Sequence, residues 1–249
     1  MNLTPQEIAL GRDAAIFQGL NPTEFDTVLQ AAKLKSLQNG AFFFMEGQPA
    51  ETAYVLIAGK VKLVQVTVDG QQIILGYLVP GRVYGIIAIL QQVTYPVSAQ
   101  AVGDCKSISW DQSTLNRIME QCPRLALNAL RIMSGQIRQL QNTVKDLSTK
   151  RVEQRIARAI LRLARQSGRK TGEGVLIDLP LSRQDLAEMT GTTLYTVSRM
   201  LKEWEKNGLI QSKRQQVIIK FPHGLVSIAE DLPGHQASGS TIPKNMCDF

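Results

Sequence analysis

Between Pro123 and Leu147 apolar residues return at Leu130, Met133, Ile137, Leu140, Val144 and Leu147, alternately three and four residues apart. That is the period of a two-helix seam rather than of a helix lying on a sheet. With Leu130, Ile137 and Val144 as a positions, and Met133, Leu140 and Leu147 as d positions, two of the three a residues are β-branched, which favours two parallel strands. A helix packed inside its own domain is the alternative, and Ile132, off the seam, makes a second face partly apolar. The unbroken repeat points instead to a helix that pairs with a second copy of the chain. Whatever precedes and follows it is then presented twice about a two-fold axis.

The 249 residues suffice for one large domain or two smaller ones, each with its own core. No apolar run approaches the roughly 18 residues needed to span a bilayer. Met1–Gly19 lacks the basic flank and apolar block of a signal peptide. The three cysteines, Cys105, Cys122 and Cys247, have neither metal-type spacing nor the even number of a disulfide framework, which points to the cytoplasm. Charge is unevenly spread. Residues 1–150 carry 13 Lys/Arg against 11 Asp/Glu, and residues 151–222 carry 14 against 7. The second segment thus holds the whole formal excess of +7, as expected of a region that meets a polyanion such as a phosphate backbone.

Along the chain, residues 5–35 read as one or two short helices, with Asn21 as a cap, Pro22 in the first helical position and Glu24 in the first turn. From Ala41 to Trp110 the texture changes to short apolar runs, with glycines at 47, 59, 70 and 81. The runs are Phe42–Met45, Ala53–Ile57, Val61–Val68, Gln72–Val79, Ser98–Val102 and Cys105–Trp110. Strands of this length and spacing imply an antiparallel roll or barrel. Asp69-Gly70 is its best hairpin signal. A short helix from Asp111 or Ser113 to Met119 precedes the seam helix, which opens at Pro123. Arg151–Gln166 is a further helix whose Arg151, Arg155, Arg158, Arg162 and Arg165 form one basic face, either solvated or turned to phosphates. Ser167–Gly174 reads as a loop and Val175–Leu179 as a strand. From Glu230 to Phe249 the chain mixes Pro, Gly, Ser and charge without periodicity, the mark of a disordered tail.

Residues 182–207 carry the most specific signal. Ser182-Arg183-Gln184-Asp185 is close to a capping box, Gly191 ends the helix it starts, and Thr192 or Thr193 caps a second helix reaching about Asn207. Helix, glycine turn, helix is the helix-turn-helix layout. On the second helix Val197, Met200, Leu201 and Trp204 recur on one face and pack inward. Leu194, Tyr195, Ser198, Arg199 and Lys202 face out, and an arginine that can fork onto guanine suits the major groove. Leu209–Ser212 and Val217–Phe221, flanking the basic turn Lys213-Arg214-Gln215, read as a wing able to reach phosphates. Ser182, Arg183 and Thr193 at the two helix starts, with Lys213 and Arg214, complete the expected DNA-binding set.

These residues bring a family into view. Leu181-Ser-Arg-Gln-Asp-Leu-Ala-Glu-Met-Thr-Gly, Thr196-Val-Ser-Arg-Met-Leu and Gly208-Leu-Ile resemble the DNA-binding signature of CRP/FNR-type bacterial transcription regulators. Glu46-Gly47, Tyr54-Val-Leu-Ile-Ala-Gly59-Lys-Val-Lys-Leu, Leu78-Val-Pro-Gly81 and Gly85 resemble the family's cyclic-nucleotide-binding β-roll. Arg155-Ile-Ala-Arg-Ala-Ile-Leu-Arg-Leu-Ala resembles the helix after its dimer helix. The resemblance implies an α+β chain: a sensor β-roll (a cyclic-nucleotide-binding-like jelly roll) over residues 1–122, a dimerisation helix over 123–150, a winged helix-turn-helix over 151–229, and the tail 230–249. It also implies a homodimer on palindromic promoter DNA, RNA polymerase as a partner (at the exposed Arg169–Gly174), a small-molecule effector in the roll, and no membrane association.

The departures from the family pattern are informative. The guanine-reading arginine of both main branches falls on Arg199, and the serine of the FNR branch on Ser198. The glutamate usual in both branches falls on Tyr195, and the arginine of the CRP branch on Leu194. The standard half-site of either branch is therefore not expected. In the sensor, the ribose-binding glutamate of the cAMP branch falls on Ile86, just after Gly85, and the phosphate-binding arginine falls near Tyr95, followed by Pro96. The two hydroxyl residues of the dimer helix fall on Leu140 and Gln141. A cyclic phosphate there would be a buried, unpaired anion, so cAMP is not the expected effector. An iron–sulfur cluster needs four cysteines where the first 104 residues have none, and it is not expected. Haem is not expected either, since His223 and His235 lie beyond the wing. The expected pocket is instead apolar, formed by Ile86, Ile87, Ile89, Tyr95 and Leu140, and it either takes an apolar ligand or is filled by its own side chains. Two alternatives stand beside the regulator: a cupin-like metal enzyme, for which the roll lacks histidines, and a cyclic-nucleotide-binding module without DNA binding.

Overall fold

The structure, a computed structural model, describes residues 4–213 and 215–232. It forms two compact units, Met1–Thr143 and Val144–Phe249, divided within one long helix.

The first unit begins with α1 (Pro5–Arg12), a 3₁₀ turn at Ala15–Phe17 and α2 (Pro22–Gln30). Asn21 and Glu24 close the expected start of α2 reciprocally: the Asn21 side chain accepts from the Glu24 amide at 2.9 Å, and Glu24 accepts from the Asn21 amide at 2.8 Å. The strands are β1 (Lys33–Leu37), β2 (Phe42–Phe44), β3 (Thr52–Val66), β4 (Gln72–Leu78) and β5 (Val83–Tyr84), followed by the short α3 (Ile86–Gln91) and by β6 (Ser98–Asp111). They pair antiparallel in the order β1-β6-β3-β4, with β2 on β6 and β5 on β3. β1 corrects the expectation of helix up to residue 35. Its Leu34 and Leu37 are half-buried while Lys33, Lys35 and Ser36 are exposed, the pattern of an edge strand whose pairing comes from distant β6.

The runs at Ala53–Ile57 and Val61–Val68 are two halves of β3, and those at Ser98–Val102 and Cys105–Trp110 are two halves of β6. The pair runs from Thr52↔Asp111 to Val64↔Ser98, with register shifts on either side of Ala58. Gly59 makes this bend possible. Its φ of +83° is a left-handed conformation, and a Cβ there would overlap the Asp104 carbonyl and lie 2.6 Å from Cys105 Sγ. The Asp69-Gly70 hairpin forms as read, with the Gly70 N–H on the Thr67 carbonyl at 2.9 Å.

Strand alternation sorts the core of this unit into two clusters. Ala53, Val55 and Ile57 point to a cluster with Phe17, Val28 and Trp110, while Tyr54 and Leu56 point to one with Phe43, Phe44, Tyr84 and Tyr95. Asp111 caps α4 (Gln112–Gln121), and the Thr114 N–H on its carboxylate, first among several contacts, holds that group well below the usual carboxylate range. Helix α5 (Pro123–Thr149) is anchored at its start by buried Leu125, Asn128 and Ala129, and Asn128 donates to the Ile16 and Gln18 carbonyls.

Further along α5 the side chains face water. Leu130 is 58% exposed, Ile137 55%, Leu140 60%, Val144 63% and Leu147 50%, with Met133 half-buried. The seam is thus an apolar edge that the described residues of the single chain leave largely uncovered. Leu127, also 50% exposed and three residues before Leu130, lengthens it by one turn.

The second unit continues with α6 (Val152–Ser167), β7 (Gly168–Thr171), β8 (Gly174–Ile177), α7 (Arg183–Thr190), α8 (Leu194–Lys206), β9 (Ile210–Lys213), β10 (Gln216–Ile219) and α9 (Pro222–Glu230). Its sheet runs β7-β8-β10-β9. Ser167–Gly174, expected as a loop, is largely strand: β7 pairs with β8 from Gly168↔Ile177 to Thr171↔Gly174. Helix α9 was not foreseen, and Glu230, expected to open the tail, is its last residue. Residues 233–249 of the expected tail, among them His235 and Cys247, lie outside the described residues.

Candidate nucleic-acid interface

The helix-turn-helix is built by local chemistry. The Ser182 hydroxyl accepts from the Asp185 amide at 3.0 Å, and Asp185 returns the bond to the Ser182 amide at 2.8 Å, which starts α7. Gly191 ends it in the left-handed region at φ 61°, ψ 47°. Thr193 then caps α8 by accepting from the Thr196 amide at 3.2 Å. Val197, Met200, Leu201 and Trp204 are buried beneath α8. Tyr195 is 78% exposed and Leu194 48%, with Arg199 and Lys202 also exposed and Ser198 half-buried. Neither Arg199 nor Lys202 holds a hydrogen bond or ion pair with another described residue.

The wing is the hairpin β9–β10, in register from Lys213↔Gln216 to Ile210↔Ile219. Arg214, which follows Lys213 in the sequence, lies outside the described residues. Gln215 takes the positive φ (59°) that closes so short a turn. A groove of ≈470 Å³ runs between the start of α7, the start of α8 and the wing, and brings together Ser182, Arg183, Leu194, Lys213 and Gln215. Thr193, Tyr195, Ser198, Arg199 and Lys202 lie outside its lining. Glu205, which periodicity did not single out, ties the wing to α8: one carboxylate oxygen accepts from the Ser212 amide at 2.7 Å and from its hydroxyl at 2.6 Å. Two short bonds to a charged acceptor fix the wing against the last turn of the helix.

The arginine face of α6 is partly engaged within the protein. Arg155 donates to the carbonyls of Thr190 and Gly191, at 3.1 and 3.3 Å, and so occupies the C-terminal end of α7. Arg158 pairs with Asp146 at 2.9 Å and with Glu230 at 2.7 Å. Burial lowers the pKa of Arg162. Arg151 and Arg165 stay exposed.

In the sensor unit the residues expected to share a pocket separate. Gly85 (φ +76°) starts α3, and a Cβ on it would lie 2.9 Å from the Thr52 carbonyl and 3.3 Å from the Tyr95 ring. Ile86 and Ile89 are buried in the cluster of Phe17 and Trp110, where Ile87 also packs. The cavity beside Ile86 is only ≈10 Å³, too small for more than a water. Tyr95 belongs to the other cluster. Its ring stacks on Phe44 at 3.8 Å, and its hydroxyl donates to the Thr52 carbonyl at 2.6 Å and accepts from the Thr52 amide at 3.0 Å. Tyr54 and Tyr84 stack at 5.1 Å with Phe43 edge-on to both, so five aromatic rings pack together in one core cluster of the roll. Burial raises the phenol pKa values of Tyr54, Tyr84 and Tyr95. Pro96, Leu140 and Gln141 are exposed. Cys105 donates to the Lys60 carbonyl at 3.0 Å, and burial raises its thiol pKa and that of Cys122, which favours the unreactive thiol.

A roll of the nucleotide-sensing type on one chain with a winged helix-turn-helix defines a DNA-binding regulator with a sensor. The comparisons agree. Residues 34–122 match the cyclic nucleotide-binding domain and residues 154–228 the Crp-like helix-turn-helix domain. The chain is 26% identical over 206 residues to the CRP-like cAMP-activated global transcriptional regulator of Mycobacterium tuberculosis, covering 83% of this chain and 92% of that one. It is 29% identical over 185 residues to the transcriptional activator protein anr of Pseudomonas aeruginosa, covering 74% and 75%. A CRP-family transcriptional regulator of Thermus thermophilus superposes with a TM-score of 0.66 at 26% identity, over 79% of this chain and 96% of that one. The c-di-GMP responsive global regulator CLP of Xanthomonas campestris shares the fold, with a TM-score of 0.70 at 21% identity over 80% and 99%. The chain belongs to the CRP/FNR family of DNA-binding transcription regulators.

Replacing Glu205 by alanine is expected to free the wing without unfolding α8. Losing bonds to a charged group, the Ser212 amide should exchange with solvent faster by about ten-fold or more, and DNA affinity should fall. Unchanged exchange and affinity would contradict the assigned role.

Proposed function

We propose that two copies of the chain pair along α5 and read a two-fold symmetric DNA site, one half-site per recognition helix. The observation that carries this reading is the apolar edge Leu130–Leu147, more than half exposed at most of its positions, on a chain that also presents an exposed Arg199 on α8 with no partner among the described residues. A second copy would cover the edge, and guanine is the base whose two acceptors an arginine fork matches. Thr193, Ser198 and Lys202 support Arg199 from the same helix, while Ser182, Arg183 and Lys213 around the groove are suited to phosphates. The exposed β7 residues Arg169 and Lys170 are the candidate contact for RNA polymerase. No helix among the described residues is long and apolar enough to cross a membrane.

We also propose that the sensor is governed by something other than cAMP, an iron–sulfur cluster or haem. The positions corresponding to cAMP-binding residues carry a buried isoleucine and a buried tyrosine whose hydroxyl is already bonded, and the tyrosine lies in a packed cluster of aromatic rings. Seating a cyclic phosphate beside Ile86 would bury its charge without a counter-ion. Cys105 and Cys122 lie in different clusters, as buried thiols do when they serve packing.

Two measurements test these proposals. In gel shifts on its own upstream region, Arg199→Ala is expected to weaken site-specific binding by roughly 1–3 kcal/mol per half-site while salt-sensitive non-specific binding persists. An unchanged footprint would remove Arg199 from base reading. Calorimetry with cAMP is expected to give no saturable heat, and a stoichiometric isotherm would overturn the claim about the sensor.

A further inference from the structure

We infer that Leu194 and Tyr195 select thymine, through its C5 methyl group, next to the guanine read by Arg199. The inference rests on the DNA-binding reading above and names the base that its half-site must contain. Isolated exposed apolar side chains are ordinary on protein surfaces, so exposure alone decides nothing. What matters is their position. Both residues open the recognition helix, the end that meets base edges in a helix-turn-helix. The exposed cations Arg199 and Lys202 lie further along the same helix, and Leu194 lines the same groove as Arg183 and Lys213. Phosphates drawn to those cations would set the apolar pair against the groove floor rather than leave it in water.

The major-groove edges of the bases present donors and acceptors, with one apolar exception, the thymine methyl. Leu194 has no polar side-chain atom. A cytosine amino group or a guanine acceptor pressed against it would lose water and gain no partner, which is unfavourable. A thymine methyl would gain contact at no such cost. The face of the Tyr195 ring extends the apolar surface, and at 78% exposure it is available for contact. Tyr195 and Arg199 are one helical turn apart, about 6 Å along the axis, so their targets lie within about two base-pair steps of 3.4 Å each.

The full-length protein, with and without a small-molecule cell extract, would be used to select duplexes from a randomised pool. The selected half-sites are expected to hold a guanine with thymine within two steps of it. Each thymine would then be replaced by uracil, which removes only the methyl. At the step facing Leu194, uracil should weaken binding about four-fold, the equivalent of one buried methyl-sized group. In Leu194→Ala most of that penalty should vanish, although binding elsewhere in the site is retained. Sequence-specific selection in which uracil substitutes freely, or in which the step is a G·C pair, would overturn the inference and leave the DNA-binding reading standing. Failure to select any sequence would overturn both.

Discussion

Along one edge of α5 five large apolar side chains stand at least half in water, from Leu130 to Leu147. Burying such a side chain is worth about 1.5–3 kcal/mol, and the other described residues leave these at least half exposed. The helix start, by contrast, is anchored by Leu125, Asn128 and Ala129. One element is thus fastened to the sensor unit at one end and offers its apolar edge for the rest of its length. On the proposed reading, a second copy meets that edge, and every feature downstream of it is duplicated. Two recognition helices, two wings and two Arg199 side chains follow from one repeat.

The same helix enters the second unit with contacts of a different kind. Asp146, in the last turns of α5, pairs with Arg158 of α6, and Arg158 also pairs with Glu230 of α9. Three residues earlier on α6, Arg155 occupies the carbonyl end of α7, at the helix-turn-helix glycine. A Cβ on that Gly191 would sit 3.6 Å from the Leu147 side chain, itself a seam residue. The end of the seam helix, α6 and the turn before the recognition helix therefore share one set of hydrogen bonds and packing contacts. Charged groups held this way strongly favour one arrangement, because separating a partly buried pair leaves charge without a partner. On the proposed reading, these contacts would carry a change of seam geometry to the recognition helix.

Much of this was legible in the sequence where the determinants are local. Capping side chains reach three residues, so Asn21, Ser182 and Thr193 announced helix starts that the structure contains. A positive φ strongly favours glycine, so Gly47, Gly59, Gly70 and Gly81 marked the turns and the bend of the roll. Features set by distant partners were not legible. Strand β1 exists because β6, some seventy residues on, pairs with it. Helix α3 is six residues long, too short to stand without the packing of Ile86 and Ile89. The arginine face of α6 looked exposed because its partners, Asp146, Glu230 and the end of α7, come from elsewhere in the chain. The surroundings of the expected effector-pocket residues were not legible for a related reason. Resemblance aligned Ile86 and Tyr95 with two ends of one ligand, but strand alternation directs the core around them into separate clusters, and Glu205 could be recognised only once its bonds to Ser212 were seen.

The central claim is that the seam sets the spacing of two DNA-reading faces. Sedimentation of the full chain with a labelled duplex, combined with base-resolution footprinting, addresses it directly. The account predicts two chains per duplex and two protected half-sites whose centres lie about 34–36 Å apart, or one helical turn. One chain per duplex, or protection confined to a single half-site, would contradict it.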